Sequence, residues 1–236
     1  ASNVPWSPTG YGTQGASLAL RLKRDGFDVV YYANYGLHGG VIEWNGISVL
    51  PGAQDGYQDP IIDGHIRAVQ PDLLITLFDA WAWRETPWPP DSVRWAAWAP
   101  VDHTPISKAN IQALKRARYA LAMSAHGRDQ MESAGLSPVY IPHGIEKTFG
   151  YTTNGRREFR RYLQVPEGAF LFGSVGLHRY YPHRKSFDRL MAALAKVPDA
   201  YLYLHALPDT QAGSVDLRDI AEFYGVANRV ITADVY

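Results

Sequence analysis

Short apolar runs alternate with stretches of helical periodicity along the chain. The runs that predict strands are 27–33, 72–78, 94–99, 119–123, 139–141, 169–175, 201–205 and a segment near Val230. The stretches that predict helices are 13–25, 59–69, 106–117, 125–134, 156–163, 186–197 and 215–224. Because strands that alternate with helices form parallel sheets through crossover connections, this pattern predicts an α/β fold. Asn45-Gly46, between two apolar arms, predicts a hairpin over residues 41–50.

The pattern changes near residue 145, which indicates two domains. Pro142-His143-Gly144 ends the last early strand, and a polar stretch follows at 152–155. We therefore predict one Rossmann-like domain over 1–148 and a second over 149–236. The second has only about three predicted strands, and only residues 1–3 remain of a first strand before the first glycine turn. We expect an incomplete second domain, in a chain that is either a fragment or is completed by another chain or a second copy.

The composition narrows the class of function. The 236 residues include 23 basic and 23 acidic side chains, a balance that argues against nucleic-acid binding, which depends on a cationic field. The absence of cysteine excludes disulfides, cysteine nucleophiles and thiolate zinc sites. No apolar run reaches the ~18–20 residues needed to cross a bilayer, and the first residues lack signal-peptide features. We expect a cytoplasmic protein, with peripheral membrane contact left open.

A glycine motif near the start, Gly10-Tyr-Gly12-Thr-Gln-Gly15, has the spacing of dinucleotide-binding loops. Two features argue against NAD. Pro5 and Pro8 interrupt the strand that should precede the motif, and the next strand ends Tyr-Tyr-Ala-Asn, without an acidic residue for the ribose. The glycines and the helix start behind them could instead receive another anion. The alternative is a turn needed only for the path of the chain.

A basic loop lies between the strand 169–175 and the next helix. Arg179, Arg184 and Lys185 are in this loop, at the end of the strand where open α/β sheets bind ligands. Three cations beside a helix start predict a diphosphate site, since each charge-assisted contact contributes roughly 1.5–3 kcal/mol. A solvated basic loop is the alternative.

Tryptophans concentrate around the loop that follows the strand 72–78. The five in this region are Trp81, Trp83, Trp88, Trp95 and Trp98. One interpretation is a packed aromatic cluster. The other is a platform on which a sugar or an apolar acceptor stacks, and Trp81 is the member that we assign to it.

Several motifs occur in the order and spacing of a known family. They are Ser2-Asn-Val-Pro-Trp-Ser-Pro-Thr-Gly-Tyr-Gly12, Pro100-Val-Asp-His103, Ser124-Ala-His-Gly-Arg128, Ile141-Pro-His-Gly-Ile145, Pro182-His-Arg-Lys-Ser-Phe187 and Tyr201-Leu-Tyr-Leu-His205. Over essentially its whole length the chain resembles the retaining glycosyltransferases of family 4. The resemblance implies the GT-B fold, with acceptor bound by the first domain and nucleotide sugar by the second. It also implies retaining transfer from a nucleotide diphosphate sugar to a glycan, lipid or protein acceptor, without a metal or other cofactor.

The resemblance also implies roles for individual residues. Those expected to hold the donor diphosphate are Arg179, Arg184, Lys185, Gly10 and Gly12. Those expected at the acceptor side of the cleft are Tyr11, Trp81 and His143. His103, or its neighbour Asp102, is expected at the catalytic centre, and the alternative is a histidine that caps a turn. For His143 the alternative is to order the connection between the domains.

Two departures from the family pattern leave other functions open. The chain ends before the family's pair of glutamates eight residues apart, which grips the donor sugar and the ribose. Leu177 also stands where the family often has arginine, so that cation is expected from Arg179 instead. A sugar-nucleotide epimerase and a non-catalytic nucleotide-binding or assembly module are the alternatives to a transferase.

Overall fold

The computed structural model describes residues 1–53, 61–83, 93–146, 149–150, 152–178, 185–206 and 215–233. The chain divides into two compact units, Ala1–Glu146 (unit 1) and Lys147–Tyr236 (unit 2). The predicted ranges, 1–148 and 149–236, put the division two residues later. The roles assigned to the two domains remain predictions.

Unit 1 alternates strands with helices, as the sequence pattern predicts. Its elements in chain order are β1 (Ser2–Asn3), α1 (Gly10–Arg24), β2 (Val30–Tyr35), β3 (Ile42–Trp44), β4 (Ile47–Leu50), α2 (Ile62–Val69), β5 (Leu73–Leu77), a 3-10 helix (Ala80–Trp83), β6 (Arg94–Ala99), α3 (Lys108–Arg116), β7 (Tyr119–Ala122), α4 (Ala125–Ser133) and β8 (Val139–Tyr140). Neighbouring strands are parallel except in the β3–β4 hairpin. Asn45 and Gly46 both have positive φ there, as a two-residue hairpin turn requires.

Unit 1 has two four-stranded sheets, ordered β1-β2-β4-β3 and β5-β6-β7-β8. Strand β1 is the outer strand of the first sheet and lies next to β5 of the second. Two backbone hydrogen bonds link them: the Ala1 amine donates to the Ile75 carbonyl at 2.6 Å, and the Leu77 amide donates to the Ala1 carbonyl at 2.9 Å. β1 therefore has β2 on one side and β5 on the other, and the winding of the chain reverses there. The residues taken as the remnant of a first strand occupy this central position.

Apolar packing on both sides of these strands holds unit 1 together. One cluster includes residues of β5, β6, β7 and α2 to α4, and a smaller one includes residues of α1, β2 and β4. Trp83 and Trp95 are almost fully buried, and the Trp95 indole donates to Thr76 Oγ1 at 2.9 Å. Removing one such side chain costs about 3–5 kcal/mol. The packed-cluster interpretation holds for Trp83, Trp95 and Trp98, whereas Trp81 is 40% exposed and Trp88 lies outside the described residues.

Unit 2 has a three-stranded parallel sheet in the order β11-β10-β9. Its elements in chain order are α5 (Thr153–Tyr162), β9 (Phe170–Val175), α6 (Phe187–Leu194), β10 (Ala200–His205), α7 (Leu217–Phe223), a 3-10 helix (Ala227–Arg229) and β11 (Val230–Thr232). Its core lies between β10, α6 and α7, around Phe187, Met191, Leu204 and Leu217. Strand β9 is one of the two outer strands of this sheet and is more exposed than β10 or β11. Its Phe170 and Phe172 are 62% and 43% exposed.

The boundaries of several elements differ from prediction for identifiable reasons. Helix α1 begins at Gly10, not at residue 13, because Thr9 caps it by accepting from the Gly12 amide at 3.1 Å. The glycine motif is therefore the first part of the helix and not a loop before it. Thr152 likewise caps α5, so this helix begins within the polar stretch 152–155 and not at residue 156. Strand β2 begins three residues later than residue 27, since Phe27 is 63% exposed in the turn after α1.

Candidate functional site

The motifs of unit 1 follow strands that end at one edge of the unit. Because β1, β5, β6, β7 and β8 are parallel neighbours, the residues after each of them meet along the carboxyl edge. Helix α1 starts after β1, where the winding reverses, and this is the position at which open α/β sheets bind ligands. Each predicted site residue of unit 1 lies after a strand at this edge or in the first turn of α1.

The glycines of the motif have different surroundings. A side chain at Gly12 would meet the carbonyl oxygens of Ser7 and Val4, the latter at 2.9 Å from its first carbon. No atom lies within 4 Å of the corresponding position at Gly10, which is exposed. Gly12 is therefore required by the packing of the chain on itself, and Gly10 is the glycine that leaves space for a ligand. Their contact with a diphosphate remains a prediction.

Tyr11 connects the start of α1 to the end of β5. Its hydroxyl donates to Asp79 Oδ2 at 3.0 Å, and its ring meets Phe78 edge to face with centroids 5.7 Å apart. The 3-10 helix that carries exposed Trp81 begins at the next residue, Ala80. The structure therefore puts Tyr11 and Trp81 on segments that meet at Asp79. Asp79 was not predicted, although an acidic residue directly after a buried strand was the available signal.

His103 and Asp102 follow β6, and both nitrogens of the His103 ring have partners. The Nδ1–H donates to Asp102 Oδ1 at 2.8 Å, and Nε2 accepts from the Ser107 amide at 3.1 Å. Since a backbone amide can only donate, Nε2 carries no proton in this arrangement. Ser107 is the N-cap of α3, so His103 holds the turn that leads into that helix. This geometry is that of the turn-capping alternative, and the catalytic role remains a prediction.

Residues 141–146, at the end of unit 1, are held by β6 and α1. The Trp98 indole donates to the Ile141 carbonyl at 2.9 Å, and the His143 ring meets Trp98 edge to face at 4.7 Å. Burial lowers the pKa of the His143 imidazole. Gln14 of α1 donates to the Gly144 carbonyl at 2.9 Å. The contact with Trp98 matches a role for His143 in ordering the connection between the domains. Its contact with an acceptor remains a prediction.

Glu146 ties the same segment to the exposed face of α1. Its Oε1 accepts from the Ser17 hydroxyl at 2.9 Å and lies 3.4 Å from the Arg21 guanidinium. The hydrogen bond from Ser17, with the charge of Arg21, lowers the pKa of the Glu146 carboxyl. This contact leaves no signal in the sequence, because the partners are about 130 positions apart and each is an ordinary surface residue.

In unit 2, Lys185 lies against the turn that follows β9. A side chain at Gly176 would meet the Lys185 Cγ at 3.3 Å and the Phe187 ring at 3.5 Å. Gly176 therefore leaves room for the aliphatic part of the Lys185 side chain. Lys185 itself is exposed. This brings one of the three predicted cations to the carboxyl edge of the sheet. Arg179 and Arg184 lie outside the described residues.

His178 was not among the predicted site residues, and it is buried in this region, with 1% exposure. Its Nε2 is 2.9 Å from the Val215 carbonyl, and its ring is 5.9 Å from that of Phe187. Because a carbonyl oxygen can only accept, Nε2 carries the proton. A histidine three residues after Val175, the last residue of the strand, was the available signal.

In the described part of the chain, His, Asp and Glu side chains form no group of three or more suited to a metal ion. Among the described helices, none has the length and apolar character to cross a membrane.

No protein-family model matches the chain, and no curated protein sequence is significantly similar to it. Solved structures do match it. A glycosyltransferase from Rickettsia africae aligns with a TM-score of 0.62 and 14% identity, over 96% of this chain and 65% of its own. HepE from Anabaena, solved with UDP and glucose, aligns with a TM-score of 0.61 and 18% identity, over 98% of this chain and 67% of its own. The chain shares their fold.

This likeness confirms the predicted fold class, α/β and GT-B-like, with parallel sheets in a Rossmann-like arrangement. At 14% and 18% identity it establishes the fold alone. The chain spans about two thirds of the length of each of these two proteins, 65% and 67%.

Proposed function

We propose that the chain acts in glycosyl transfer from a nucleotide diphosphate sugar. The observation that carries the proposal is the fold it shares over 98% of its length with HepE, a protein whose structure contains UDP and glucose. Because one fold can host many activities, glycosyl transfer also requires a site of suitable chemistry. The turn after β9 supplies it, since Lys185 is an exposed cation at the edge where such sheets bind ligands.

A cation suits this reaction because negative charge grows on the diphosphate as the bond to the sugar breaks. A fixed ammonium group stabilises that growing charge more than it stabilises the bound donor, and this difference is what lowers the barrier. The start of α6 adds amide donors beside Lys185, since Ser186 at its N-cap makes no side-chain capping hydrogen bond. A lysine and a helix start both stabilise a leaving diphosphate without a bound ion, so we propose a metal-independent reaction.

The finer predictions belong to this proposal. They are membership of family 4, retention of anomeric configuration, a location in the cytoplasm, and a glycan, lipid or protein acceptor. Tyr11 and Trp81 are the proposed acceptor contacts. His103 and Asp102 are the proposed catalytic pair, with His103 Nε2 first released from the Ser107 amide.

Calorimetry with UDP, GDP and UMP tests the donor site. We expect Lys185→Ala to weaken UDP or GDP binding about tenfold and to leave UMP unchanged, because UMP lacks the second phosphate. Lys196→Ala is the matched control, since Lys196 is an exposed lysine just past the other end of α6. Equal affinities for UDP in the wild type and in Lys185→Ala would refute the site.

Product analysis tests the reaction. Incubation with UDP-glucose and a panel of glycan, lipid and peptide acceptors should release UDP and yield a glycosylated acceptor. Conversion of the UDP-sugar to its epimer without acceptor would identify an epimerase instead. Binding of UDP with no turnover would identify a non-catalytic module.

A further inference from the structure

Two described stretches of unit 2, residues 176–178 after β9 and Val215 before α7, are in contact, and a buried histidine joins them. The segment after β9 contains His178, and the segment after β10 ends at Val215, which precedes the start of α7. The His178 Nε2–H donates to the Val215 carbonyl at 2.9 Å, across 37 positions of sequence. His178 is 1% exposed, whereas Val215 is 41% exposed, so the donor side of this bond is the side shielded from water.

His178 also supports the residues around Lys185. Its ring packs on that of Phe187 at 66° with centroids 5.9 Å apart, and Phe187 is the first residue of α6. Phe187 and the stem of Lys185 are in turn the two groups closest to Gly176. Gly176, His178, Lys185 and Phe187 thus form one compact group, in which His178 is buried and Lys185 is exposed.

We propose that His178 is a positioning residue that holds the turn carrying Lys185, and the start of α7, in the geometry that binds a diphosphate. This inference rests on the proposed function. The physical reason is preorganisation: a turn already held in its binding geometry loses less conformational freedom when the ligand arrives. His178 does not need to touch the ligand for this effect.

Asp216 shows that the far side of the contact is also ordered. It caps α7 by accepting from the Arg218 amide at 2.8 Å, and its carboxylate pairs with the Arg218 guanidinium. The carbonyl that His178 holds belongs to the preceding residue, Val215. Loss of the His178 bond would therefore free both the cap of α7 and the turn after β9.

Three substitutions at His178 separate its hydrogen bond from its bulk. Glutamine can put an amide N–H where Nε2–H lies, asparagine reaches only as far as Nδ1, and leucine keeps apolar volume without a donor. By UDP calorimetry we expect His178→Gln to bind within about twofold of the wild type. We expect His178→Leu and His178→Asn to bind about three- to tenfold more weakly, as loss of one buried hydrogen bond predicts.

A double-mutant cycle with Lys185→Ala distinguishes positioning from general loss of structure. If His178 acts through Lys185, His178→Leu should weaken UDP binding less in the Lys185→Ala background than in the wild type. The comparison of glutamine with asparagine, both polar, keeps the test valid should the leucine variant fail to fold.

The outcomes separate this inference from the proposed function. A tenfold loss in Lys185→Ala, with His178→Asn and His178→Leu binding as tightly as the wild type, would overturn the inference and leave the proposed site intact. Equal weakening by glutamine and asparagine, or full additivity in the cycle, would also overturn it. No effect of Lys185→Ala would overturn the proposed site and, with it, the role of His178.

Discussion

The hydroxyl of Tyr31 occupies the space into which a side chain at Gly15 would project. Tyr31 is 4% exposed, and its hydroxyl donates to the Asn3 carbonyl at 2.7 Å, which fixes it between β2 and β1. The nearest groups to Gly15 are therefore Tyr31 and Ser2, both parts of the sheet. Gly15, the last glycine of the motif, is therefore required by the close packing of α1 on these strands. This packing explains the glycine without a bound ligand.

Gly15→Ala should reduce the free energy of unfolding by about 1–3 kcal/mol, because the added methyl group overlaps the Tyr31 hydroxyl. Tyr31→Phe in the same chain should recover part of that loss. Gly10→Ala is the control, since nothing lies within 4 Å of its added carbon, and it should be neutral or slightly stabilising. Urea unfolding of the four proteins measures the differences. Equal stability of Gly15→Ala and the wild type would show that the helix can shift to accept the methyl group.

Substitutions at His103 separate a turn-capping role from catalysis. His103→Ala should reduce the free energy of unfolding by about 1 kcal/mol, because the Ser107 amide loses its acceptor. His103→Gln, whose amide oxygen can accept from Ser107, should retain most of that stability. If both variants transfer sugar at the wild-type rate, His103 is structural. If both lose turnover while His103→Gln stays stable, His103 is catalytic.

The arrangement of strands and helices could be predicted because it depends on local patterns. The hairpin at Asn45-Gly46 and the helix over 125–134 were both predicted and are both present, the helix as α4 with Ser124 at its N-cap accepting from the Gly127 amide at 3.0 Å. Each is determined by a few consecutive residues. The start of α1 was missed because Thr9 was not recognised as its cap.

The site could be predicted only in part, since residue type indicates chemistry but not contacts. The sequence indicated Lys185 as a cation after a strand, but not that its stem lies against Gly176. It indicated His103 as a candidate, but not that both ring nitrogens have partners within its own loop. Long-range contacts such as Tyr11 to Asp79, 68 positions apart, leave no local pattern.

The lowered pKa of His143 predicts a pH effect on stability. Burial favours the neutral imidazole in the folded chain, so the unfolded chain takes up a proton first as the pH falls below its ordinary value of about 6.5. The free energy of unfolding should therefore decrease as the pH falls through 6.5 towards the lower pKa of His143 in the folded chain. His143→Phe, which keeps a ring against Trp98, should show a smaller decrease. NMR titration of the imidazole checks the direction directly, and a His143 pKa above that of a free histidine would contradict it.

Strand β9, one of the two outer strands of the described sheet of unit 2, predicts self-association of this chain. Strand β9 reads Phe-Leu-Phe-Gly-Ser-Val, without charge or proline, and pairs with β10 on one side only in the described structure. Such an edge recruits further strands. Phe172→Lys, which puts a charge on β9, should shift the protein towards monomer in sedimentation velocity at about 50–100 μM. Phe223→Lys is the matched control, because Phe223 is 81% exposed but lies on α7 and not on the sheet. Equal association of the two variants would mean that β9 is not the contact, because the same charge on α7 would then have the same effect.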